Sequence, residues 1–285
     1  MTMAACNSLG SMLRDAIVRL QAAQVGSPRL NAETLLMFTL GCDRAYLYAH
    51  GEREMTADEL RRYEEALAER ACGVPSQYIT CHQEFWGMDL LVSPAVLIPR
   101  PETEHVVETV LELSGHREGL KIADVGTGSG CIALAIAKDL PTAEILALEI
   151  SAAALEIARA NASRHQLETR IQFRCVNLLD GMEPATWDFV VSNPPYIPET
   201  ERESVEAQVR KFEPEGALFA GRDGMDIYRR LIPQAKEVLK PGGWLVMEIG
   251  FGAENRVRAL LDGWAEVRLK DDLQGIPRVV AARNN

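Results

Sequence analysis

The chain has 285 residues, of which 47% are hydrophobic and 25% are charged. This is an ordinary composition for a soluble globular protein with a substantial core, and the length predicts one large domain and a small one. The formal net charge of -11 argues against a broad phosphate-binding surface, so we expect no direct binding of nucleic acid.

The cysteines and the start of the chain bear on the cellular compartment. The six cysteines lack the close spacing of a metal site, and Cys131 and Cys175 sit inside apolar runs, so we expect reduced structural thiols and no metal. The others are Cys6, Cys42, Cys72 and Cys81. Residues 1–10 show no basic segment followed by an apolar one, and no apolar run approaches membrane-spanning length. We therefore expect a cytoplasmic protein with no membrane attachment.

The first part of the chain shows helical spacing of its apolar residues. Leu35, Leu36 and Leu40 are examples, and breaks at Ser27-Pro28 and Gly51 separate the segments. The pattern predicts three or more short amphipathic helices, packed as a small bundle over residues 1–73. Thr56 and Glu59 have the spacing of a capping box at the start of the last helix. The surface of this bundle is either a solvated face or a partner-binding face, and the pattern leaves both open.

From Val74 the spacing changes. Tyr78–Thr80, Phe85–Met88 and Leu90–Val92 alternate or run apolar, which predicts a β-hairpin linker over residues 74–98. Arg100 then lies between two prolines, in a stiff segment followed by acidic residues that suit the first turn of a helix. This segment is either a helix start or one wall of a site.

The domain over residues 99–285 opens with a strand, a glycine loop and a helix, the usual start of a doubly wound nucleotide-binding fold. The loop Gly126–Gly130 reads Gly-x-Gly-x-Gly, which differs from both the dinucleotide and the P-loop patterns. Close-packed glycines suit a small adenosine-bearing molecule with a charged tail. The next strand ends at Glu149, an acid placed to take both hydroxyls of a ribose.

A second polar segment follows the buried run Val190–Ser192. The prolines of Asn193-Pro194-Pro195-Tyr196 stop the strand, so Asn193 is delivered to the carboxyl edge of the sheet on a stiff loop. The Asn193 carbonyl oxygen and the Pro194 backbone carbonyl can accept both N–H bonds of a planar –NH2 group, while Tyr196 packs on that group. Such a nitrogen is a poor nucleophile and has to be positioned. Alone, the tetrapeptide is equally well explained as a rigid turn.

The rest of the chain is expected to complete the sheet. Ile227–Leu239 predicts a helix ended by Lys240–Gly243, and Trp244–Ile249 predicts a strand. Val267–Leu269 and Arg278–Ala282 suit a final antiparallel pair. The least periodic stretch, residues 198–222, is either a loop that closes over the cleft or a solvated one.

In motif order the chain resembles class I S-adenosylmethionine-dependent methyltransferases, and over nearly its whole length it resembles the PrmC or HemK family of release factor glutamine methyltransferases. This resemblance implies an α/β fold: a doubly wound, mostly parallel seven-stranded sheet with helices on both faces, and a small N-terminal helical domain joined by a β-hairpin linker. The matching segments are Glu84–Gly87, Leu97–Glu104, the glycine loop, Asn193–Tyr196, Phe212–Leu218, Gly221–Gly224, Gly242-Gly243 and Glu248–Gly250.

The resemblance also implies the site and its cofactor, S-adenosylmethionine, which leaves as S-adenosylhomocysteine. The implied cofactor residues are Gly126, Thr127, Gly128, Ser129, Gly130, Glu149, Asn177, Leu178 and Asn193. The target glutamine would be bound by Asn193, Pro194, Pro195 and Tyr196, with Asn193, Pro194 and Tyr196 as the catalytic set. Two positions depart from the family: Glu149 replaces the usual Asp, and Asn177-Leu178 stands where the family commonly has Asp and an apolar or Trp residue near the adenine.

The expected reaction is methyl transfer to the glutamine side-chain nitrogen in the Gly-Gly-Gln motif of class I release factors, catalysed by a monomer. Three alternatives stay open. A ribosomal-protein glutamine methyltransferase would share the motif. A DNA adenine methyltransferase would use it on a flipped base, but should carry a basic face and a target-recognition insert. A non-catalytic protein would bind the cofactor without transfer.

Overall fold

The computed structural model describes residues 7–115 and 117–285. Cys6, and most of the start of the chain on which the cytoplasmic expectation rests, lie outside the described residues. The chain divides into two compact units: the first comprises residues up to Cys81 together with Ala207–Phe212, and the second comprises His82–Glu206 and Glu213–Asn285.

The first unit is helical, as its apolar spacing predicts. Its core is built from fully buried side chains such as Leu20, Leu35 and Leu67. The predicted capping box is confirmed, because Thr56 and Glu59 each bond the other's backbone N–H. The helices are α1 (Leu9–Ala22), α2 (Pro28–Leu40), α3 (Arg44–Ala49), α4 (Ala57–Ala71), α5 (Ser76–Thr80) and α9 (Ala207–Phe212).

Helix α5 corrects the hairpin prediction. Tyr78–Thr80 is helical and not a strand, since Pro75 opens a turn in which the Tyr78 and Ile79 amides both donate to its carbonyl. A three-residue apolar run fits either period, and here Ile79 packs on the core of the helical unit.

The hairpin itself starts at His82. Strands β1 (His82–Phe85) and β2 (Met88–Leu91) pair antiparallel around Trp86 and Gly87. Both turn residues have positive φ, 54° and 64°, which suits the right-handed twist of a two-residue hairpin. Phe85 and Met88 are buried in the core of the second unit.

The second unit is built on one sheet. Its strands are β3 (Lys121–Val125), β4 (Glu144–Glu149), β5 (Ile171–Cys175), β6 (Trp187–Ser192), β7 (Leu239–Glu248), β8 (Glu266–Asp271) and β9 (Pro277–Arg283). In the described part of the chain these seven strands run in the order β5-β4-β3-β6-β7-β9-β8. The first five are parallel, and β9 is antiparallel to both β7 and β8, so the predicted final pair is confirmed.

Helices cover both faces of this sheet, as predicted. Alternate strand residues point to opposite faces, so Ile122 joins one core and Ala123 the other. The helices on the Ile122 face are α6 (Glu104–Ser114), α7 (Cys131–Asp139) and α8 (Ala152–Arg164), and those on the Ala123 face are α10 (Asp226–Val238) and α11 (Glu254–Leu260). The chain moves outward from β3 to β4 and β5 and then returns to β6 on the other side of β3. The sheet therefore has a topological switch point between β3 and β6.

Three local expectations need correction. The aperiodic stretch 198–222 contains short helical turns at Glu199–Ser204, Ala207–Phe212 and Glu215–Ala217, too brief to leave a periodic signal. Strand β7 begins at Leu239 and so includes the predicted stop residues Lys240–Gly243. Cys175 is exposed, because the end of edge strand β5 is not covered. Cys42, Cys72, Cys81, Cys131 and Cys175 are free thiols.

Candidate active site

The glycine loop follows β3 and needs glycine for its backbone. Gly126, Gly128 and Gly130 have φ values of 73°, 55° and 86°, in the left-handed region that other residues rarely adopt. Gly130 is also crowded, since a Cβ there would lie 3.3 Å from the Cβ of Ala158. The amides of Gly126 and Thr127 both donate to the carbonyl of Leu148 at the end of β4, at 2.8 and 3.0 Å. The loop is therefore tied to the neighbouring strand.

Glu149 lies at the end of β4 and faces this loop. One carboxylate oxygen accepts from the Gly128 amide at 3.0 Å, and the other accepts from the amides of Ile150 and Ser151 at 2.9 and 3.0 Å. Three backbone donors thus hold the carboxylate beside the glycine loop, which the extra methylene of Glu relative to Asp allows. A carboxylate has about four acceptor positions, so a ribose diol would compete with at least one of these bonds.

Asp124 is a site residue that the sequence reasoning missed. It is fully buried at the end of β3, where one oxygen accepts from the Thr127 hydroxyl at 2.6 Å and from the Ala133 amide at 3.2 Å. Among the described residues, its second oxygen Oδ1 has no hydrogen-bond partner. Burial raises the pKa of Asp124 to about 7. An acid two residues before the first glycine of the loop is the signal that would have identified it.

Asn193 and Tyr196 lie on the other side of the switch point. Strand β6 ends at Ser192, whose hydroxyl donates to the carbonyl of Val125 at 2.7 Å and so ties β6 to β3. The Nδ2 of Asn193 donates to Oγ1 of Thr103 at 3.0 Å. The ring of Tyr196 lies against Gly250, where a Cβ would come within 2.8 Å of the ring atom Cδ2. The two prolines between Asn193 and Tyr196 form the loop that the sequence predicts.

Glu248 and Thr103 complete this side of the site, and the sequence reasoning assigned a role to neither. Glu248, the last residue of β7, is 2% exposed, and Thr103 is 1% exposed. The Thr103 hydroxyl donates to Oε2 of Glu248 at 2.6 Å, and the Tyr196 hydroxyl donates to Oε1 at 3.3 Å. Burial raises the pKa of Glu248 to about 7, although these two hydrogen bonds oppose the shift.

The Pro-Arg-Pro segment brings Thr103 to the site. Arg100 forms an ion pair with Glu213, and the other oxygen of Glu213 accepts from the Ile98 amide at 3.1 Å. Glu213 is 4% exposed, so its contacts with Ile98 and Arg100 anchor the Pro-Arg-Pro segment to a buried residue. The segment therefore does more than start a helix.

Asn177 and Leu178 follow β5 at the same edge of the sheet as Glu149. Leu178 has a φ of 51° and packs on the core of the Ala123 face. Within the described residues, no hydrogen bond links the Asn177 side chain to Glu149 or Asn193. In the same part of the chain, no cluster of His, Cys, Asp or Glu could hold a metal ion. None of the described helices is long and apolar enough to span a membrane.

Two family models match the chain. A model described as the PrmC N-terminal domain matches residues 11–80, and one described as the methyltransferase small domain matches residues 105–219. A release factor glutamine methyltransferase of Koribacter versatilis is 54% identical over 269 residues, which cover 94% of this chain and 95% of the relative. Relatives with the same name from Geobacter sulfurreducens and Xylella fastidiosa are 41% and 42% identical, covering 91% and 94% of this chain and 90% and 97% of their own lengths.

Solved structures confirm the fold. The catalytic domain of hMettl16 aligns with a TM-score of 0.58 at 19% identity, over 76% of this chain and 81% of that domain. A methyltransferase from Pyrococcus furiosus aligns with a TM-score of 0.51 at 18% identity, over 70% of this chain and 90% of its own. The resemblance noted from the sequence motifs is confirmed by the relatives: this chain is a methyltransferase and belongs to the release factor glutamine methyltransferase family.

Proposed function

We propose that this enzyme transfers a methyl group from S-adenosylmethionine to the side-chain nitrogen of the glutamine in the Gly-Gly-Gln motif of a class I release factor. The observation that supports this most directly is the Asn193 side chain at the switch point, with its NH2 group engaged by Thr103. The relatives' shared name points to the same substrate. We also propose that the enzyme acts as a monomer.

The residues around the glycine loop fit the cofactor. Left-handed glycines let a ligand lie against the backbone, and the Glu149 carboxylate can accept from ribose hydroxyls after giving up a backbone bond. The unpartnered Oδ1 of Asp124, just beneath the loop, is an acceptor suited to a positively charged group. We assign Thr127, Ser129, Asn177 and Leu178 to the same cofactor site, with Leu178 giving apolar contact to the adenine.

The chain's own residues position the nucleophile. A carboxamide nitrogen has a delocalised lone pair, so accurate placement of the nitrogen has to supply most of the catalysis. Oδ1 of Asn193 and the carbonyl of Pro194 accept its two N–H bonds, and Tyr196 packs against the planar group. Bound S-adenosylmethionine supplies an electrophilic methyl on a positively charged sulfur. The N–C bond forms as the C–S bond breaks, and one amide proton leaves to water.

The direct test is transfer of labelled methyl from S-adenosylmethionine to a purified release factor, with Asn193→Ala as the inactive control. A release factor in which the motif glutamine is replaced should take up no label. Ribosomal protein and unmethylated DNA serve as parallel acceptors. Label on ribosomal protein or DNA alone would overturn the substrate assignment, and cofactor binding without any label would favour a non-catalytic protein.

A further inference from the structure

Glu248 is a buried carboxylate that the mechanism above does not use. It receives two side-chain hydroxyls, Thr103 on one oxygen and Tyr196 on the other. Its backbone carbonyl accepts from the Tyr228 hydroxyl at 3.0 Å, which fixes the end of β7. Parallel pairing of β6 and β7 sets Ser192 opposite Met247, so Asn193 and Glu248 lie side by side at the carboxyl edge of these strands. The Glu248 carboxylate therefore contacts Tyr196 directly and Asn193 through Thr103.

The hydrogen bonds in this cluster have a fixed direction when Glu248 is ionised. A carboxylate can only accept and a hydroxyl has a single proton, so at the 2.6 Å contact the Thr103 hydroxyl donates to Oε2 of Glu248. Toward Asn193, Thr103 can then only accept, so the group facing it has to be the NH2 of the amide. The carbonyl oxygen of Asn193 is turned the other way. In the described part of the chain, no group donates a hydrogen bond to that oxygen.

We propose that Thr103 and Glu248 are positioning residues that fix the orientation of the Asn193 amide, so that its oxygen faces the nitrogen to be methylated. The kinetic part of this proposal rests on the proposed function. The end torsion of an Asn side chain is broad and nearly two-fold, so the backbone alone does not choose between oxygen and nitrogen. A flipped amide would set an NH2 group against the NH2 group of the substrate, and two donors cannot bond each other.

The Glu248 carboxylate also holds Tyr196. The Tyr196 hydroxyl bonds Glu248 while its ring rests on Gly250, so the acceptor amide and the packing ring share one support. Glu248 and Thr103 are placed to act through Asn193 and Tyr196, without touching the substrate. Removing the Thr103 hydroxyl or the Glu248 carboxylate should therefore lower kcat and leave the affinity for S-adenosylmethionine unchanged.

Thr103→Val tests the proposal, because it deletes the hydroxyl and keeps the shape, while Thr103→Ser keeps the hydroxyl and serves as the matched control. With release factor as substrate, we expect kcat to fall on the order of 10- to 100-fold in Thr103→Val. The Kd for S-adenosylmethionine should stay within about twofold, and Thr103→Ser should restore most of kcat. Glu248→Met, which removes the acceptor at similar volume, should resemble Thr103→Val.

A second readout does not depend on any substrate. In nitrogen-15 NMR spectra, the side-chain NH2 signals of Asn193, assigned by their loss in Asn193→Ala, should exchange slowly with water in the parent enzyme and in Thr103→Ser. They should exchange at least about tenfold faster in Thr103→Val. Equal exchange in all three proteins, or an unchanged kcat in Thr103→Val, would overturn the positioning role. If the parent enzyme does not methylate release factor, the proposed function fails, and the NMR comparison still decides the orientation of Asn193.

Discussion

Replacing Glu248 by Gln should stabilise the second unit at alkaline pH, because the folded protein then no longer buries a charge. The carboxyl is 2% exposed, and its pKa is raised from 4.5 to about 7. Between these two values the folded state holds a proton that the unfolded state has released, so stability falls as the pH rises through this window. Above pH 7 the loss is complete.

The size of the effect follows from the shift. At about 1.36 kcal/mol per pKa unit, a change from 4.5 to about 7 corresponds to roughly 3 kcal/mol of stability lost between acidic and alkaline pH. Gln has no charge to bury, but its amide is a poorer partner for Tyr196 and Thr103 at every pH. The informative quantity is therefore the difference in the free energy of unfolding between Glu248→Gln and the parent. This difference should shift in favour of the variant by about 2–3 kcal/mol from pH 5 to pH 8. Asp124, whose pKa is also about 7, is present in both proteins, so its pH-dependent contribution to the free energy of unfolding cancels in the difference.

Urea unfolding followed by tryptophan fluorescence would measure this. All four tryptophans, Trp86, Trp187, Trp244 and Trp264, belong to the second unit, so the signal reports that unit alone. Glu144→Gln is the matched control, since its side chain is 70% exposed at the start of β4 and should show no such shift. If the free energies of unfolding of Glu248→Gln and the parent differ by the same amount at pH 5 and pH 8, burial of the ionised Glu248 does not destabilise the folded protein, and the reasoning is refuted.

Three substitutions probe the rest of the site. Gly250→Ala places a methyl group 2.8 Å from the Tyr196 ring and should lower kcat by tenfold or more; unchanged kinetics would show that the ring can move freely. Gly130→Ala, at a φ of 86°, should cost about 1–2 kcal/mol in urea unfolding, and a smaller cost would contradict the strain argument. Glu149→Ala should weaken S-adenosylmethionine binding about tenfold by calorimetry, whereas equal affinity would remove it from the cofactor site.

Much of the fold is encoded in short segments of the chain. The strand, glycine loop and helix over Lys121–Asp139 can be recognised from the sequence, because buried strands, left-handed turns and apolar helices each have a local sequence pattern. Glu149 and Asn193 are recognisable for the same reason, since Glu149 is the last residue of β4 and Asn193 directly follows β6. Where the local signal is short it is ambiguous, and so Tyr78–Thr80 was predicted as a strand although it forms a helix.

The partners of those residues were decided only by the tertiary structure. Thr103 and Glu248 are separated by 145 positions, and nothing near either one indicates that they meet. They come together because β7 pairs in parallel with β6 and because the Pro-Arg-Pro segment is held by the buried Glu213. Apolar periodicity reports which face of an element is buried, but the order of strands in a sheet fixes which buried polar groups share a site. The sequence thus determines that an amide stands at the switch point, and the sheet order determines which groups orient it.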